Sequence, residues 1–300
     1  MIPTLPPEVV VIGNAGIDTN VYLPGDAIDF SVEANFTDNR DYVGQAGGYA
    51  ARGYAALGRR TAFIGSLGED YGGHQVRETF IRDGIDIRAI WTDPAGTARS
   101  VNLVARDGSR KNFYDGKSHM WLQPDLTRCR EVLAGARLAH VNLPNWARHL
   151  LPIARELGLT IACDLQDMVR PDDPYRADFI AAATILFCSA VNISPEELAT
   201  RLLAGRPDRI VVLGLGQRGA ALATSASYQV FPPPPLDLPV VDTNGAGDAL
   251  AVGFLTSYVL EGRPLEESLR RGQIAARHTC ALRATTDGLI TAAQLEAYAT

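Results

Sequence analysis

Short apolar runs rich in β-branched residues recur along the chain, and segments with helical periodicity lie between them. The apolar runs are EVVVIG (8–13), TAFIG (61–65), LAHVNL (138–143), LTIACDL (159–165), TILFC (184–188) and RIVVLG (209–214). Helical periodicity marks AGGYAARGYAALG (46–58), QVRETFIRDG (75–84) and WARHLLPIARELG (146–158). This alternation predicts a three-layer α/β/α fold, in which a mostly parallel sheet carries helices on both faces.

Two stretches depart from this pattern. Residues 19–43 have no helical period, and residues 97–114 alternate apolar and polar positions before a turn signal at Asp107-Gly108. Two such insertions in one α/β core predict a small β-sheet lid beside the carboxyl edge of the main sheet, which could also form a dimer surface. The expected division is a core of residues 1–18, 44–92 and 118–300 and a lid of residues 19–43 and 93–117.

Composition narrows the class of protein. The net charge of −6 and a pI near 5.4 give no sign of the basic surface with which proteins bind nucleic acids. No apolar run approaches 18 residues, and the start MIPTLPPEVVVIG lacks the features of a signal peptide, so we expect a cytoplasmic protein without a membrane span. The four cysteines are far apart in sequence, which is typical of free thiols rather than of a metal site or disulfides.

The stretch VVDTNGAGDALAVGFL (240–255) contains the strongest candidate for chemistry. Gly245, Ala246 and Gly247 precede an apolar helical run, so free backbone N–H groups and the positive end of a helix dipole would meet there. Such a site binds phosphate, and Asp248 in the first turn could accept a proton from an attacking hydroxyl. The same residues also fit a tight turn followed by a first-turn acid, and the local pattern leaves both interpretations open.

Two motifs resemble signatures of the ribokinase-like (PfkB) carbohydrate kinases. Asp242-Thr243-Asn244-Gly245-Ala246-Gly247-Asp248 matches the C-terminal D-T-x-G-A-G-D signature, with Gly253 five residues further on. The segment GGYAARGYAALGRRTAFIGSLGEDYGG (47–73) resembles the second signature, including its glycine pair. The two motifs occur in the family's order, and the family's β-lid coincides with the two insertions.

This resemblance implies an ATP-dependent phosphotransferase that uses Mg²⁺ and phosphorylates a hydroxymethyl group of a sugar or sugar-like molecule. Asp248 would be the general base, and the backbone amides of Gly245 to Asp248, including Ala246 and Gly247, would bind the transferred phosphate. Asp242 and Thr243 match positions that hold a monovalent cation, K⁺, in some members.

On the acceptor side, the resemblance implies that Asp18 binds substrate hydroxyls with Asn14 close by. Gly47 and Gly48 would let the backbone approach the sugar. At the residue where the family usually has a sugar-binding asparagine, this chain has Arg52. Arg52 could read an acidic or phosphorylated acceptor, or it could turn away into a structural ion pair.

The nucleotide side departs further from the family pattern. Gly214-x-Gly216-x-x-Gly219 fits a dinucleotide-binding fingerprint, but the residues that follow predict a second strand rather than the required helix. In the family this place carries T-x-G-x-x-G and touches nucleotide phosphates. The family's N-x-x-E motif, which helps position Mg²⁺, is represented by Ser189 and Asn192 or, with one extra residue, by Asn192 and Glu196.

Two alternatives stay open at this stage. A nucleoside kinase on the same fold could stack a base on Tyr22, Phe30 or Trp121, although these aromatics could equally form the core of the lid. The altered N-x-x-E region would also fit a catalytically weak sugar-binding or regulatory protein. A homodimer formed through the lid is expected, because a small sheet with exposed edges often pairs across a two-fold axis.

Overall fold

The computed structural model describes residues 5–25, 28–106, 110–168, 170, 172–190 and 193–300. Within these residues the strands are β1 (Val9–Ile12), β2 (Gly16–Tyr22), β3 (Asp38–Gly44), β4 (Thr61–Leu67), β5 (Asp86–Thr92), β6 (Ala98–Val104), β7 (Arg110–Asp115), β8 (Leu138–Val141), β9 (Thr160–Asp167), β10 (Ile185–Ser189), β11 (Ile210–Gly214), β12 (Ala220–Ala223) and β13 (Tyr228–Phe231). The helices are α1 (Gln45–Ala56), α2 (Tyr71–Arg82), α3 (Leu126–Leu133), α4 (Leu151–Glu156), α5 (Ala177–Ala182), α6 (Pro195–Leu203), α7 (Ala246–Leu255), α8 (Leu265–Cys280) and α9 (Ala292–Ala299).

The main sheet has the strand order β13-β12-β11-β10-β9-β8-β1-β4-β5. All neighbours from β11 to β5 pair in parallel, whereas β12 and β13 add an antiparallel edge. In parallel strands the carboxyl ends meet at one edge of the sheet, which is where ligands bind in open α/β folds. The predicted mostly parallel sheet is therefore confirmed, and so is the second strand after the Gly214–Gly219 loop.

Alternate residues of the central strands pack into two separate cores. Val10 and Ile12 of β1 contribute to a core under α3 to α6, where Trp146 is fully buried. Val9 and Val11 contribute to a core on the other face, under α1, α2, α7 and α8. Strands that are apolar on both faces need helices on both faces, and the three-layer arrangement follows from that requirement.

The two sequence insertions form a separate four-stranded sheet in the order β3-β2-β6-β7. The central pair, β2 and β6, is parallel, and the outer strands β3 and β7 are antiparallel to their neighbours. A small β-sheet lid is thus present as expected, whereas the turn signal at Asp107-Gly108 lies outside the described residues. None of the helices in the described ranges is long and apolar enough to cross a membrane.

One face of the lid sheet is polar and buried. Along β6, Ser100, Asn102 and Val104 are buried, whereas Arg99, Val101 and Leu103 on the other face are not. The register places Asp18 and Asn20 of β2, together with Arg110, Asn112 and Tyr114 of β7, on the same face as the buried β6 residues. This inner face of the lid turns towards the loop that precedes α7, as the contacts below show.

Candidate active site

The start of α7 is built around a glycine. Gly245 is the N-cap residue of α7 and has φ of +74°, in the left-handed region that glycine adopts readily. A Cβ atom on Gly245 would lie 2.1 Å from the Tyr49 ring, so the close packing of this ring also requires glycine. The Gly245 carbonyl accepts the helical hydrogen bond of Ala249 at 2.9 Å. The N–H groups of Gly247 and Asp248 therefore lie in the first helical turn, where an anion can bind them.

Asp248 is half-buried in this first turn. Burial raises the pKa of its carboxyl well above the usual range, and the negative charges of Asp164 and Asp18 raise it further. The positive charge of Arg110 acts in the opposite direction. A carboxylate with a raised pKa is a stronger proton acceptor, which is the property that a general base requires.

Asp18 lies on the inner face of the lid at the beginning of β2, and it is 6% exposed. Its carboxylate accepts hydrogen bonds from the Gln45 backbone N–H at 3.0 Å and from the Gln45 side chain at 2.5 Å. The Gln45 amide also donates to Ser100 at 2.9 Å. Burial raises the pKa of Asp18 to about 6, although these hydrogen bonds oppose the rise. Asp18 is thus a buried carboxylate whose orientation is fixed by hydrogen bonds from Gln45.

Asn14, Gly47 and Gly48 lie next to β2, the strand that contains Asp18. Asn14 follows β1, and its amide donates a hydrogen bond to the Tyr114 hydroxyl of the lid strand β7. A Cβ atom on Gly47 would lie 2.5 Å from the Asn14 carbonyl oxygen, whereas one on Gly48 would make only an ordinary contact of 3.8 Å with Ala15. Gly47 is therefore the residue of the pair that lets α1 approach the β1–β2 turn.

Arg52 lies away from these groups. Its guanidinium is 8% exposed and donates to Asp83, Thr286 and Asp287, each at 2.6 Å. All three contacts are on the side of α1 that faces the end of α2 and the 286–287 loop. Of the two expectations for Arg52, the structure therefore shows the ion pair: its guanidinium binds Asp83 and Asp287 rather than Asp18.

The loop that contains Gly216 and Gly219 connects strands β11 and β12 of the main sheet. Gly214 ends β11 and pairs with Ser189 of β10, so both stand at the carboxyl edge of the sheet. Gly216 begins a short 3₁₀ turn, and Gly219 has φ of +92° with room for no side chain, since a Cβ would lie 2.1 Å from the Phe231 carbonyl. Because β12 follows directly, this loop does not lead into the helix that a dinucleotide-binding fingerprint requires.

The altered N-x-x-E region is only partly described. Asn192 lies outside the described residues, so nothing is said of its contacts. Glu196 is exposed in the first turn of α6, where its carboxylate accepts a hydrogen bond from Ser194 at 3.1 Å. Within the described residues no group of three or more His, Cys, Asp or Glu side chains forms a metal cluster.

Asp242 and Asn244 connect the loop before α7 to the lid. The Asp242 carboxylate accepts hydrogen bonds from Asn20 at 2.9 Å, from the Tyr22 hydroxyl at 2.6 Å and from the Asn244 backbone at 2.9 Å. The Asn244 amide in turn donates to Asn20 at 3.0 Å and to the Tyr42 hydroxyl at 2.8 Å. The neighbouring Thr243 is exposed.

A row of amides extends this network across the lid. Asn112 of β7 donates to Asn102 of β6 at 2.8 Å, and Asn102 donates to Asn20 of β2 at 2.9 Å. Each amide in this row donates from its N–H₂ group to the next residue. The last amide, that of Asn20, donates to Asp242. The sheet and the loop before α7 are thus held in one hydrogen-bonded arrangement.

Two residues near Asp248, namely Asp164 and Arg110, were not among the site residues predicted from the sequence. Asp164 is 8% exposed near the carboxyl end of β9, and burial raises its pKa to about 6. The acid in LTIACDL follows four strand residues, so its position at the carboxyl edge could have been found from the parallel-sheet pattern. Arg110, at the start of β7, donates a hydrogen bond to the Asn244 side chain. No sequence signal relates this lid residue to a loop more than a hundred positions away.

The fold and the site together are those of a small-molecule kinase. The family model for pfkB family carbohydrate kinases matches residues 7–292, and the chain belongs to this family. The expectation of an ATP-dependent carbohydrate kinase is therefore confirmed.

Among known proteins, the chain is 33% identical over 298 residues to the acarbose 7(IV)-phosphotransferase of Actinoplanes sp., covering 96% of this chain and 97% of that protein. The structure of a microbiome-derived acarbose kinase superposes with a TM-score of 0.90 at 29% identity, covering 98% and 99% of the two chains. The ribokinase of Arabidopsis thaliana, solved with ribose and ATP, superposes with a TM-score of 0.83 at 20% identity over 99% of each chain, which shows the shared fold.

Proposed function

We propose that this chain transfers the γ-phosphoryl group of ATP to a hydroxymethyl group of a sugar or sugar-like molecule, with Asp248 as the general base. The observation that carries the proposal is the position of Asp248 in the first turn of α7, beside free backbone amides and two further carboxylates that raise its pKa. This arrangement combines a proton acceptor with a site for the negative charge of a phosphoryl group.

In the proposed reaction, Asp18 and Asn14 orient the acceptor through its hydroxyl groups. Asp248 takes the proton of the attacking hydroxyl, whose oxygen forms the new bond to the γ-phosphorus as the bond to the β–γ bridging oxygen breaks. The amides of Gly247 and Asp248, at the positive end of α7, stabilise the charge on the transferred group. Gly214, Gly216 and Gly219 would line the nucleotide phosphates with backbone rather than with side chains.

Magnesium is implied by the family, and the residues present fit it. Mg²⁺ prefers oxygen ligands and is commonly held by substrate phosphates together with one or two carboxylates. Asp164 supplies a buried carboxylate close to Asp248, and Glu196 is a second, exposed candidate that would act through water. When bound, the ion neutralises charge on the phosphates. A cation beside Asp164 would also lower the pKa of Asp248 and favour its basic form.

The Asp242 carboxylate, part of the expected K⁺ site, accepts three hydrogen bonds, from Asn20, Tyr22 and the Asn244 backbone. A carboxylate offers about four acceptor directions, so these donors leave one for a further contact. A K⁺ ion at Asp242 and Thr243 stays part of the proposal, and it would take that remaining direction.

Two relatives are named for the phosphorylation of acarbose, so acarbose is the first acceptor to test. A nucleoside acceptor is the second candidate, because Tyr22 and Phe30 belong to or flank the lid and offer aromatic surface. Of these, Tyr22 already donates its hydroxyl to Asp242, which favours a structural role. Trp121 is 76% exposed and could stack on either kind of acceptor.

The test is ADP release from Mg-ATP against acarbose, free sugars, sugar acids, sugar phosphates and nucleosides. We expect turnover with one acceptor class, and a loss of at least about 10²-fold in kcat for Asp248→Asn. Glu266→Gln is the matched control, since Glu266 is an exposed acid in the first turn of α8. If the two variants had equal kcat, Asp248 would be only a helix-start acid.

We also propose a homodimer that forms through the outer face of the lid. Val21, Val101 and Leu103 on that face are half-buried, and Phe113 beside them is 56% exposed. Apolar side chains on a small sheet are typical of an interface. Sedimentation of Leu103→Asp against the unchanged protein would test this: a monomer is expected, and an unchanged dimer would rule out this face.

A cytoplasmic location fits the proposed reaction. The phosphoryl donor, ATP, is a cytoplasmic metabolite, and all four cysteines are free and buried, as expected of a protein that folds under reducing conditions.

A further inference from the structure

Arg110 belongs to the lid and contacts the loop that leads into α7. It begins β7 opposite Val104, on the inner face of the lid, and its side chain is exposed rather than packed in a core. Its guanidinium donates a hydrogen bond to the side-chain oxygen of Asn244. Asn244 directly precedes Gly245, so the cation lies one residue from the anion-binding end of α7.

The orientation of Asn244 is fixed from the other side. Its N–H₂ group donates to Asn20 at 3.0 Å and to the Tyr42 hydroxyl at 2.8 Å, which leaves its oxygen turned towards Arg110. An amide held by two donations presents its carbonyl in one direction only. Asn244 therefore holds the Arg110 guanidinium beside the start of α7.

The charge of Arg110 reaches both functional carboxylates. Its positive charge lowers the pKa of Asp18 and that of Asp248, against the effect of burial. The groups that act on Asp248 come from three elements: Asp18 from β2, Asp164 from β9 and Arg110 from β7. Among these three residues, Arg110 is the positively charged one. Arg110 belongs to the lid, whereas Asp248 belongs to the core.

We propose that Arg110 is a catalytic residue, which binds the transferred phosphoryl group when ATP and acceptor occupy the site. This inference rests on the proposed function. The group in transfer spreads negative charge over its three equatorial oxygens, and a planar guanidinium can donate two parallel hydrogen bonds to them. Arg110 forms no covalent bond and keeps its protons, since the acceptor proton goes to Asp248 and the leaving electron pair goes to ADP.

The lid position also gives this role a structural basis. The lid is hydrogen-bonded to the loop before α7, and Asn244 holds the Arg110 guanidinium beside the start of that helix. The cation therefore lies near the site proposed for the phosphoryl group before ligands bind, so its charge needs little reorganisation during transfer.

The experiment compares Arg110→Met and Arg110→Lys with the control Arg99→Met. Arg99 is an exposed lid arginine on the outer face, which donates to the Thr19 hydroxyl at 3.1 Å. We expect Arg110→Met to lower kcat by at least about 10²-fold with KM for ATP changed less than about threefold, Arg110→Lys to recover part of the loss, and Arg99→Met to match the unchanged protein. The acid limb of the kcat/KM profile should move to higher pH in Arg110→Met.

A second measurement does not depend on knowing the acceptor. Calorimetry with Mg-ADP and aluminium fluoride, which mimics the group in transfer, should show binding weakened at least about tenfold in Arg110→Met, with Mg-ADP alone unaffected. If no acceptor supports ADP release by the unchanged protein, the proposed function fails while this comparison still decides the role of Arg110. Equal fluoride binding in both proteins, or a change confined to KM for anionic acceptors, would overturn the proposal.

Discussion

Asn20, in the lid strand β2, donates a 2.9 Å hydrogen bond to the carboxylate of Asp242, which lies 222 positions away in the loop before α7. Both side chains are buried, so neither can exchange this partner for water. The hydrogen bond fixes the lid relative to the segment that presents Gly245 to Asp248. The lid is therefore hydrogen-bonded directly to the loop before α7.

Replacing Asn20 by Ala should destabilise the protein by about 1–3 kcal/mol, because it removes one donor from a buried carboxylate and strands the amides of Asn102 and Asn244. Urea unfolding measures the change. The control is Asn39→Ala, an exposed asparagine in the adjacent strand β3, which should stay within about 0.5 kcal/mol of the unchanged protein. Equal stability of the two variants would mean that the bond to Asp242 contributes nothing.

The pH dependence of activity should follow the raised pKa of Asp248. A general base must be deprotonated, so kcat/KM should fall as the pH drops through this pKa and reach a plateau above it. Asp164→Asn removes a negative neighbour, which lowers the pKa of Asp248 and moves the acid limb to lower pH. The measurement is kcat/KM for Mg-ATP between pH 5 and pH 9.

The matched control for this profile is Asp167→Asn, in the same strand β9 but exposed. Its acid limb should coincide with that of the unchanged protein. An acid limb in Asp164→Asn that stays in place, even with a lower kcat, would show that Asp164 does not act on the base electrostatically.

The sequence could predict the parts of this molecule that are local. The alternation of apolar runs predicts the parallel sheet, and Gly245 to Asp248 are neighbours in the chain, so their meeting at a helix start needs no tertiary information. The meeting of Asp164 with Asp248 depends on how β9 lies against α7. A strand pattern places Asp164 at the correct edge of the sheet but cannot choose its partner.

The contacts of the lid were harder to predict than its presence, for a physical reason. Its inner face is held by amide-to-amide hydrogen bonds among Asn20, Asn102 and Asn112, and such bonds leave no hydrophobic period in the sequence. The alternation of Val101 and Leu103 shows which residues share a face. It does not show that Arg110 and Asn244 touch, because that contact is set by the packing of the whole lid on the core.

Arg52 should prove to be a structural residue. Arg52→Asn removes a buried guanidinium and leaves Asp83, at 19% exposure, with only the exposed Arg82 as an ion-pair partner, so we expect a loss of about 3 kcal/mol and a melting temperature lower by several degrees. Arg82→Ala is the control, because Arg82 contacts the same two acids, Asp83 and Asp287, from an exposed position. That variant should change stability by less than about 1 kcal/mol.

The acceptor preference of Arg52→Asn completes this test. If Arg52 acts only in stability, kcat/KM should change by the same factor for neutral and anionic acceptors at a temperature where the variant is folded. A selective gain for neutral sugars would instead return Arg52 to the acceptor site, through a rearrangement that the contacts with Asp83, Thr286 and Asp287 do not show.

The two glycines of the anion site should respond differently to a methyl group. Gly245→Ala requires φ of +74° and places Cβ 2.1 Å from the Tyr49 ring, so we expect a strongly destabilised protein with little activity. On Gly247 a Cβ atom would meet nothing within 4 Å, so Gly247→Ala should fold with unchanged stability. If the open space beside Gly247 receives the phosphoryl group, Gly247→Ala should nevertheless weaken ATP binding, because the methyl group would occupy that space. Thermal melting and KM for ATP, measured on both variants, separate the two effects: a stable Gly245→Ala would contradict the packing against Tyr49, and unchanged ATP kinetics in Gly247→Ala would place the phosphoryl group elsewhere.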